Sequence, residues 1–568
     1  MGLCHRFVVR RIFLLRGGQI IAKILKVEGT DFISHYPNVG NVIGDAADEG
    51  IRIITTRHER TAVAIADAYT RYSMGHKHGV AMSQSGHAAH NLMGGMGQAF
   101  DDLSPILMMP AGSRMNQLEK RRWDSATNYT CVTKWSARLD NAVDISSLMS
   151  MAFTRLRTGR PAPVLLEMMR DALMGEIQDS DFNYEPVKGW RYQGDPHDIE
   201  VAVRALLTAK RPVLYVGDGV LKADAAEEFR EFAELVQAPV ITNLKGKSTF
   251  PEDHPLSVGI RGRALWLCMS RADLVFGIGT SLSGMHGTPI LPGQKTVICN
   301  IGEYDVNMYQ RANHVVIGDA KLVLRQLITE VRKQTNGESV RKNEGLEKEI
   351  AREKELQLKE WLPTLTSNKK PINPYRVIWD MMQTFDRKNL AITHESGSPR
   401  EQLGAIWEAL LPRSFLGWGH TTNLGFSWGA AMAAKLMWPE KLSVNWVGDA
   451  AMGHNAMDLE TALREKLPIL TVLSNNSAYA TYGPRGRSRL SAAVTGVSPS
   501  SVISYATMAE GLGCYSERVE EPDEVIPALK RGIKEVKAGR PALIEVITDW
   551  ESTRISYQIP NEYQPGKL

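Results

Sequence analysis

The sequence predicts an α/β protein built from three doubly wound parallel-sheet domains, and three observations carry that prediction. Short apolar runs alternate with helical patterns along the whole chain, as parallel sheets covered on both faces require. Two polar stretches without periodicity or rich in charge, 178–198 and 332–361, interrupt the series and leave units of ordinary domain size. At 568 residues the chain is also too long for one core.

The clearest apolar runs, in order, are "GVAM", "APVLLEM", "RPVLYVG", "APVIT", "ADLVFGIG", "KTVICNIG", "LAITHE", "LSVNWVG", "LPILTVLS" and "PALIEVIT". Residues 1–14 read as an extension: "MGLCHRFVVRRIFLL" is basic and acid-free, but arginines break its apolar part and no small-residue cleavage site follows. The first domain is expected over 15–185 and the second over 195–332. A linker over 333–370 is charge-rich, partly helical and solvated. The third domain covers 371–550, and a tail over 551–568 either closes over a site or lies on the surface.

Composition narrows the function class. A hydrophobic share of 43%, a charged share of 23% and a net charge of +4 describe an ordinary globular chain with no basic footprint for nucleic acid or an anionic membrane. No apolar stretch reaches the roughly 18 residues that a membrane span needs. The five cysteines form no CxxC pair, which argues against a disulfide framework or structural zinc and fits a reducing cytoplasm. No GxSxG occurs, and the histidine pairs lack partners at metal spacing.

The most informative stretch is "LSVNWVGDAAMGHNAMDLETALREKLPILTVLSNNSAYATYG" (442–483). A strand ends at "GDA", a helix follows with Met457, Thr461 and Leu463 expected near its buried side, and a second strand ends at "NN". Both turns of this βαβ unit lie at the carboxyl edge of one sheet, where open α/β folds bind ligands. Asp449 and Asn476 stand 27 residues apart, which suits one strand-helix-strand passage between strands about 4.8 Å apart. A carboxylate, an amide oxygen and a backbone carbonyl at Ala478 could then share one hard cation such as Mg²⁺, with phosphates and water completing its octahedron. Gly448 lets the backbone approach closely, and a helix N-terminus favours an anion.

That pattern resembles the signature of thiamine diphosphate-dependent enzymes, and the resemblance runs along nearly the whole chain. "RHERTAVAIADAYTR" is similar to the pyrimidine-domain motif of the acetolactate synthase, pyruvate oxidase and 2-hydroxyacyl-CoA lyase group, and "SQSGHAAHNLMGGMGQAFDDLSPILMMPAG" to the turn, helix and strand that follow it. "RPVLYVGDGV", "GKSTFPEDHPLSVG" and "ADLVFGIGTSLS" resemble its central domain, and "GHTTNLGFSWGAAMAAKL" the loop beneath the thiazolium. Ala450 stands where the family usually has glycine. The resemblance implies a pyrimidine-binding domain, a central Rossmann-like domain and a diphosphate-binding domain. It implies thiamine diphosphate and Mg²⁺, the metal held by Asp449, Asn476 and Ala478. The cofactor would lie against Pro37, Gly86, Asn91, Leu424, Gly448, Asp449, Ala450, Asn476 and Ala478, with Leu424 as the apolar prop under its bend.

Glu59, in "TTRHERTAVAIADAY" (55–69), matches the family glutamate that exchanges a proton with the aminopyrimidine. Without the resemblance it is an acid stabilised by a helix N-terminus, worth about 0.3–1 kcal/mol. His35, Tyr36, His87, His90, Gln98 and Tyr479 are candidates for the substrate side of the site. The two histidines replace residues usual in the group, and each fits a surface position as readily as a proton-handling one. The central-domain loops "VGDGV" and "FGIGTSLSG" are not a full GxGxxG, and the Arg-Phe-Asp-Asp run of flavin-binding synthases is absent, so FAD and ADP both stay open there.

The implied activity makes or breaks a carbon–carbon bond beside a carbonyl. An acetolactate synthase-like decarboxylase and carboligase comes first, a 2-hydroxyacyl-CoA lyase second, and a flavin-linked oxidase or a non-catalytic homologue after these. The substrate would be a small 2-oxo acid or 2-hydroxyacyl compound. Because the family draws the two ends of the cofactor site from different subunits, a homodimer or homotetramer is expected.

Overall fold

The computed structural model describes residues 13–112, 123–284, 287–337, 344–419, 421–478, 503–549 and 560–563. Its strands, in chain order, are β1 (Leu14–Arg16), β2 (Phe32–His35), β3 (Arg52–Thr55), β4 (Val80–Ser83), β5 (Leu107–Pro110), β6 (Trp135–Leu139), β7 (Val164–Met168) and β8 (Glu176–Gln178) in the first domain. The second holds β9 (Pro212–Val216), β10 (Val240–Thr242), β11 (Ser257–Gly259), β12 (Leu274–Ile278), β13 (Lys295–Asn300) and β14 (His314–Ile317). The third holds β15 (Leu390–His394), β16 (Phe415–Leu416), β17 (Leu442–Gly448), β18 (Leu470–Asn475), β19 (Tyr515–Val519) and β20 (Ala542–Ile547).

These strands make three six-stranded sheets of order 3-2-4-5-7-6, 11-10-9-12-13-14 and 16-15-17-18-20-19. Every pairing within them is parallel. All the apolar runs named above are strands. Within these three sheets the sequence reading passed over β2, β6, β11, β14, β16 and β19, and all of these but β2 are edge strands. β1 and β8 pair antiparallel, Leu14 opposite Gln178, and so fasten the start of the first domain to its end.

The first and third domains share a core. The helix Glu59–Tyr72 is buried on almost every side and lies across the helix Phe426–Met437. Ala64, Ala68 and Tyr72 pack with Trp428, Met432 and Leu416. A Cβ on Gly429 would stand 2.6 Å from that of Ala64, so only glycine permits this crossing. The small residues of "GAAMAA" thus serve close helix–helix approach.

A buried ionic cluster joins all three domains. Arg71 of the first domain bonds Asp67 at 2.6 Å and Asp102 at 3.0 Å, and Asp102 also meets Lys245 of the second at 3.2 Å. Asp218 of the second domain pairs with Lys222 and, at 3.0 Å, with Arg413 of the third.

One sequence expectation needs correction. Met457 is 54% exposed, whereas Thr461 is fully buried. The helix after β17 is broken into Asp449–Asn455, a 3₁₀ turn at Ala456–Asp458 and Leu459–Arg464, so one helical period does not run through it. The charge-rich linker is partly helical and mostly exposed, and the helix Glu344–Leu365 in it also engages the second domain through its acids: Glu353 and Glu360 meet Arg263 at 2.8 and 2.9 Å, and Glu349 meets Arg271 at 3.0 Å. From the tail, Glu562 pairs with the same Arg263 and Tyr563 is buried. No described helix is long and apolar enough to cross a membrane.

Candidate active site

At the carboxyl edge of the third sheet, four loops face one another across a cleft of about 60 Å³. Ser396–Pro399 follow β15, Gly448–Ala451 follow β17, Asn476 and Ala478 follow β18, and Leu424 comes from the loop before the helix Phe426–Met437. β17 and β18 are neighbours with Gly448 opposite Ser474, so the spacing of "GD" and "NN" does place both turns on one edge. The helix Ser398–Ile406 enters the cleft behind Gly397, with no side-chain cap on its first amides. A helix N-terminus favours an anion there.

Asp449 begins the helix Asp449–Asn455 and is buried. Burial raises its carboxyl to about 6 against the backbone N–H groups of its own turn and of Ala478 and Asn476. Among the described residues it has no ion-pair partner, so a buried carboxylate faces the cleft lacking a cation. The two asparagines divide their work. Asn475 turns inward, its amide donating to Glu545 at 2.7 Å and its oxygen accepting the Ser477 N–H at 3.0 Å. Asn476 lines the cleft, its Oδ1 accepting the Ala478 N–H at 3.1 Å with a second lone pair left over. Gly448 is tight against Pro399, where a Cβ would approach Cγ to 3.1 Å. Ala450, where the family usually has glycine, lines the cleft.

Glu59 opens the helix Glu59–Tyr72 and is 5% exposed. Asn91 donates to its Oε2 at 3.2 Å, so two of the residues singled out in the sequence meet. His58 caps the helix: its Nδ1 accepts the Arg60 N–H at 3.1 Å, and that nitrogen therefore brings no proton to Glu59, 3.7 Å away. The turn is gripped by the third domain. Asp458 accepts the Arg57 N–H at 2.8 Å and the Thr61 hydroxyl at 2.5 Å, and Asn455 donates to Thr61 at 2.5 Å. The arginines flanking Glu59 also face the third domain, Arg57 pairing with Glu460 and Arg60 approaching His454 at 3.4 Å.

The remaining candidates scatter. His35, at the end of β2, is buried between Thr55 Oγ1 at 2.9 Å and the Tyr36 carbonyl at 3.2 Å, and burial lowers its pKa. Tyr36 is half-buried and Pro37 exposed. Gly86 holds φ at +68° and leads into the helix His87–Asn91, on which His87 and His90 are exposed with ring centroids 6.2 Å apart. Gln98 is fully buried, and neither atom of its amide has a hydrogen-bond partner among the described residues. Tyr479 lies outside the described residues. None of Glu59, Pro37, Gly86 and Asn91 lines the cleft formed by the third domain of the same chain.

Ser396, Ser398, Pro399 and Gln402 line the cleft and were missed in the sequence. The signal available was "THESGSPREQ", a strand end followed by Gly-Ser-Pro at a helix start.

A second, larger cavity of about 590 Å³ opens at the carboxyl edge of the central sheet, where the three domains meet. Arg71, Lys222, Lys245 and Asp218 of the ionic cluster reach it, and Trp190, Tyr304 and Tyr309 stand around it with Arg157, Arg160 and Arg191. Arg160 lies over the Tyr304 ring at 4.1 Å. The glycines of "VGDGV" and "FGIGTS" are explained by mutual packing: a Cβ on Gly217 would come within 2.2 Å of the Gly279 carbonyl.

Comparison with known proteins bears on both sites. Three family models match: the N-terminal TPP binding domain of thiamine pyrophosphate enzymes over residues 15–130, their central domain over 199–327 and their C-terminal TPP binding domain over 396–546. The chain is 28% identical to a protein of Methanocaldococcus jannaschii named "Probable acetolactate synthase large subunit", across 94% of this chain and 92% of that one. It is 29% identical to the acetolactate synthase large subunit of Corynebacterium glutamicum, across 88% and 80%. With the glyoxylate carboligase of Escherichia coli O157:H7 the identity is 27%, across 88% and 87%.

Proposed function

The chain belongs to the thiamine pyrophosphate enzymes; from that premise we propose that it is a thiamine diphosphate-dependent carboligase, like the acetolactate synthases and glyoxylate carboligase it resembles, which decarboxylates a small 2-oxo acid and joins the remaining fragment to a second carbonyl compound. The observation that carries the assignment of the site is Asp449, a buried carboxylate without a counter-ion at the sheet edge, beside Asn476 on the neighbouring strand's turn. That donor set suits Mg²⁺, which takes one or two protein oxygens and completes its octahedron from diphosphate and water. Asp449, Asn476 and the Ala478 carbonyl would hold the metal. Ser396, Ser398 and the amides opening the helix Ser398–Ile406 would take the diphosphate, and Leu424 would support the bend of the cofactor.

When bound, thiamine diphosphate supplies a carbon nucleophile and an electron sink for chemistry beside a carbonyl. Glu59 holds and returns the proton that this chemistry needs at the aminopyrimidine end, with Asn91 orienting its Oε2. Burial of Glu59 keeps bulk water from competing for that proton.

A homodimer is the smallest active unit in this reading. The cleft of one chain is lined by its third domain alone among the described residues, and Glu59 is carried by the first domain, so a second subunit supplies Glu59 to complete each site. The larger cavity is of a size common for cofactor pockets and would suit a nucleotide such as ADP or FAD, with the cations that reach it to take phosphates and the rings of Trp190, Tyr304 and Tyr309 to take the base.

The decisive experiment gives the Mg²⁺–thiamine diphosphate-loaded protein a panel of 2-oxo acids and acceptor aldehydes, and reads carbon dioxide and coupled product separately. Carbon dioxide with a new hydroxyketone supports the reading. Free aldehyde without coupled product would make the protein a simple decarboxylase, and no turnover of any acid would sink it. The absorbance of the purified protein, with chromatography of nucleotide released on denaturation, distinguishes FAD from ADP.

A further inference from the structure

Glu395 lies one residue past the end of β15, fully buried, between the loops that wall the cleft. Its Oε1 accepts the N–H of Gly425 at 3.1 Å and of Ser427 at 3.0 Å, one and three residues after Leu424. Its Oε2 accepts the Ser396 N–H at 3.3 Å, the first residue of the opposite loop. Its own N–H donates to the Trp446 carbonyl at 2.9 Å, two residues before Gly448 on β17. One side chain and its amide therefore tie together the Ser396 loop, the Leu424 loop and the strand that presents Asp449.

We propose that Glu395 is a positioning residue for the cofactor: it sets the height of Leu424 relative to the diphosphate loop and so fixes the bend at which the cofactor is held. The inference rests on the functional reading above and concerns a residue outside the cleft lining, which acts through Leu424 and Ser396 and touches no reacting atom. The local geometry explains why an acid stands here. Gly425 holds φ at +94°, and a Cβ there would lie 2.7 Å from the Asn455 side chain. This left-handed turn opens the helix Phe426–Met437, and the N–H groups of Gly425 and Ser427 at its start find their acceptor in Glu395. Buried backbone donors need an acceptor, and the glutamate side chain has the reach to meet them from β15. The neighbouring ring supports the same frame: His394 stacks on Trp418 with centroids 5.4 Å apart, and the Trp418 indole N–H donates to the His394 carbonyl at 2.6 Å.

The placement predicts a pattern across two substitutions. Glu395→Gln keeps length and one carbonyl oxygen, so Gly425 and Ser427 stay satisfied and only the longer Ser396 bond is lost. Glu395→Asp keeps the charge and loses one methylene of reach, so the Leu424 loop is released. Affinity for thiamine diphosphate with Mg²⁺ is measured by calorimetry on the full chain, with kcat at saturating cofactor and the melting temperature of each variant. The expected result is Glu395→Gln within about threefold of wild type in both quantities. Glu395→Asp should fall at least tenfold in kcat and weaken cofactor binding. Leu424→Ala should reproduce its kcat loss. Wild-type kcat and affinity in Glu395→Asp would overturn the inference, and so would a Glu395→Gln variant as damaged as Glu395→Asp, because charge rather than geometry would then be the function of the residue. A wild-type chain that binds no thiamine diphosphate overturns the functional reading and this inference with it.

Discussion

The backbone N–H of Arg57 donates to the carboxylate of Asp458, 401 residues later in the chain, at 2.8 Å. The second carboxylate oxygen takes the hydroxyl of Thr61 at 2.5 Å, so Asp458 brackets the turn that carries Glu59. Asp458 sits on the 3₁₀ turn after the helix that opens with Asp449, and burial raises its pKa against the donors from Arg57 and Thr61. The segment that presents the metal-ligand candidate therefore also positions the proton-handling candidate. Asp458→Ala frees both anchors. Misplacement of a reacting group by about 1 Å costs on the order of 100-fold in rate, so kcat should drop about 10- to 100-fold with little change in thiamine diphosphate affinity. Unchanged kcat in a folded variant would show that the bracket does not set the position of Glu59.

Glu59→Gln retains the size of the side chain and an oxygen for Asn91 to bond, and removes the exchangeable proton. General acid–base groups contribute about 10²- to 10⁴-fold, and a loss in that range is expected in kcat. Calorimetry should show cofactor binding close to wild type. Full activity would refute the proton role.

Asp449→Ala removes the buried carboxylate that faces the cleft. Mg²⁺-dependent binding of thiamine diphosphate should fall below detection in the titration that measures wild-type affinity, while the melting temperature without cofactor stays level or rises. The sign follows from Asp449 itself, whose buried charge has no ion-pair partner among the described residues. Retained affinity would remove it as a ligand.

How far the sequence reached depended on burial. Strands sealed on both faces, such as β9, β12 and β18, appear as unbroken apolar runs because every residue meets a helix or a neighbouring strand. Edge strands such as β6, "WSARL", and β19, "YSERV", keep polar residues on their open side and leave no such run. β2, "FISH", is interior, yet its Ser34 hydroxyl bonds the Ala62 carbonyl and its His35 bonds Thr55, so polar residues are buried there through partners that no local pattern announces. The site divided the same way. "GD" and "NN" were visible because each ends an apolar strand. Ser396, Ser398 and Glu395 follow a strand equally well, but their meaning depends on Leu424 and Gly425, nearly thirty residues on, coming back over them.

The pH response of stability should carry the mark of Glu395. Burial pushes its carboxyl up to about 7, outweighing the donors from Ser427, Ser396 and Gly425, whereas an unfolded glutamate titrates near 4.3. Between those values the folded chain binds more protons than the unfolded one, so this group's contribution to stability is fully present below about 4.3 and is lost as pH rises toward about 7. Glu395→Gln has no such loss. The melting temperature of the variant minus that of wild type should therefore become more positive from pH 5 to pH 7.5. A difference that is flat, or that shrinks, would mean that Glu395 is ionised in the fold throughout.

The ionic cluster sets a contest between two substitutions at one contact. Burial pushes Asp218 up, but Lys222, Arg413 and Lys245 outweigh it and hold the carboxyl well below the usual range. Arg413 is 1% exposed, and its Nε and one terminal nitrogen have no hydrogen-bond partner among the described residues. The cluster places the cations Arg71, Lys222, Lys245 and Arg413 against the carboxylates Asp67, Asp102 and Asp218, an excess of positive charge in a buried place. Asp218→Ala deepens that excess and strands two cations, and removing one partner of a buried pair costs about 3–5 kcal/mol. Arg413→Met removes the poorly satisfied cation, brings the charges into balance, and leaves Asp218 its contact with Lys222. A hydrophobic residue of similar volume in place of a buried ion is often close to neutral. The melting temperature should thus fall much further for Asp218→Ala than for Arg413→Met. The reverse order would mean that the bond between the second and third domains, and not charge balance, is what Arg413 contributes.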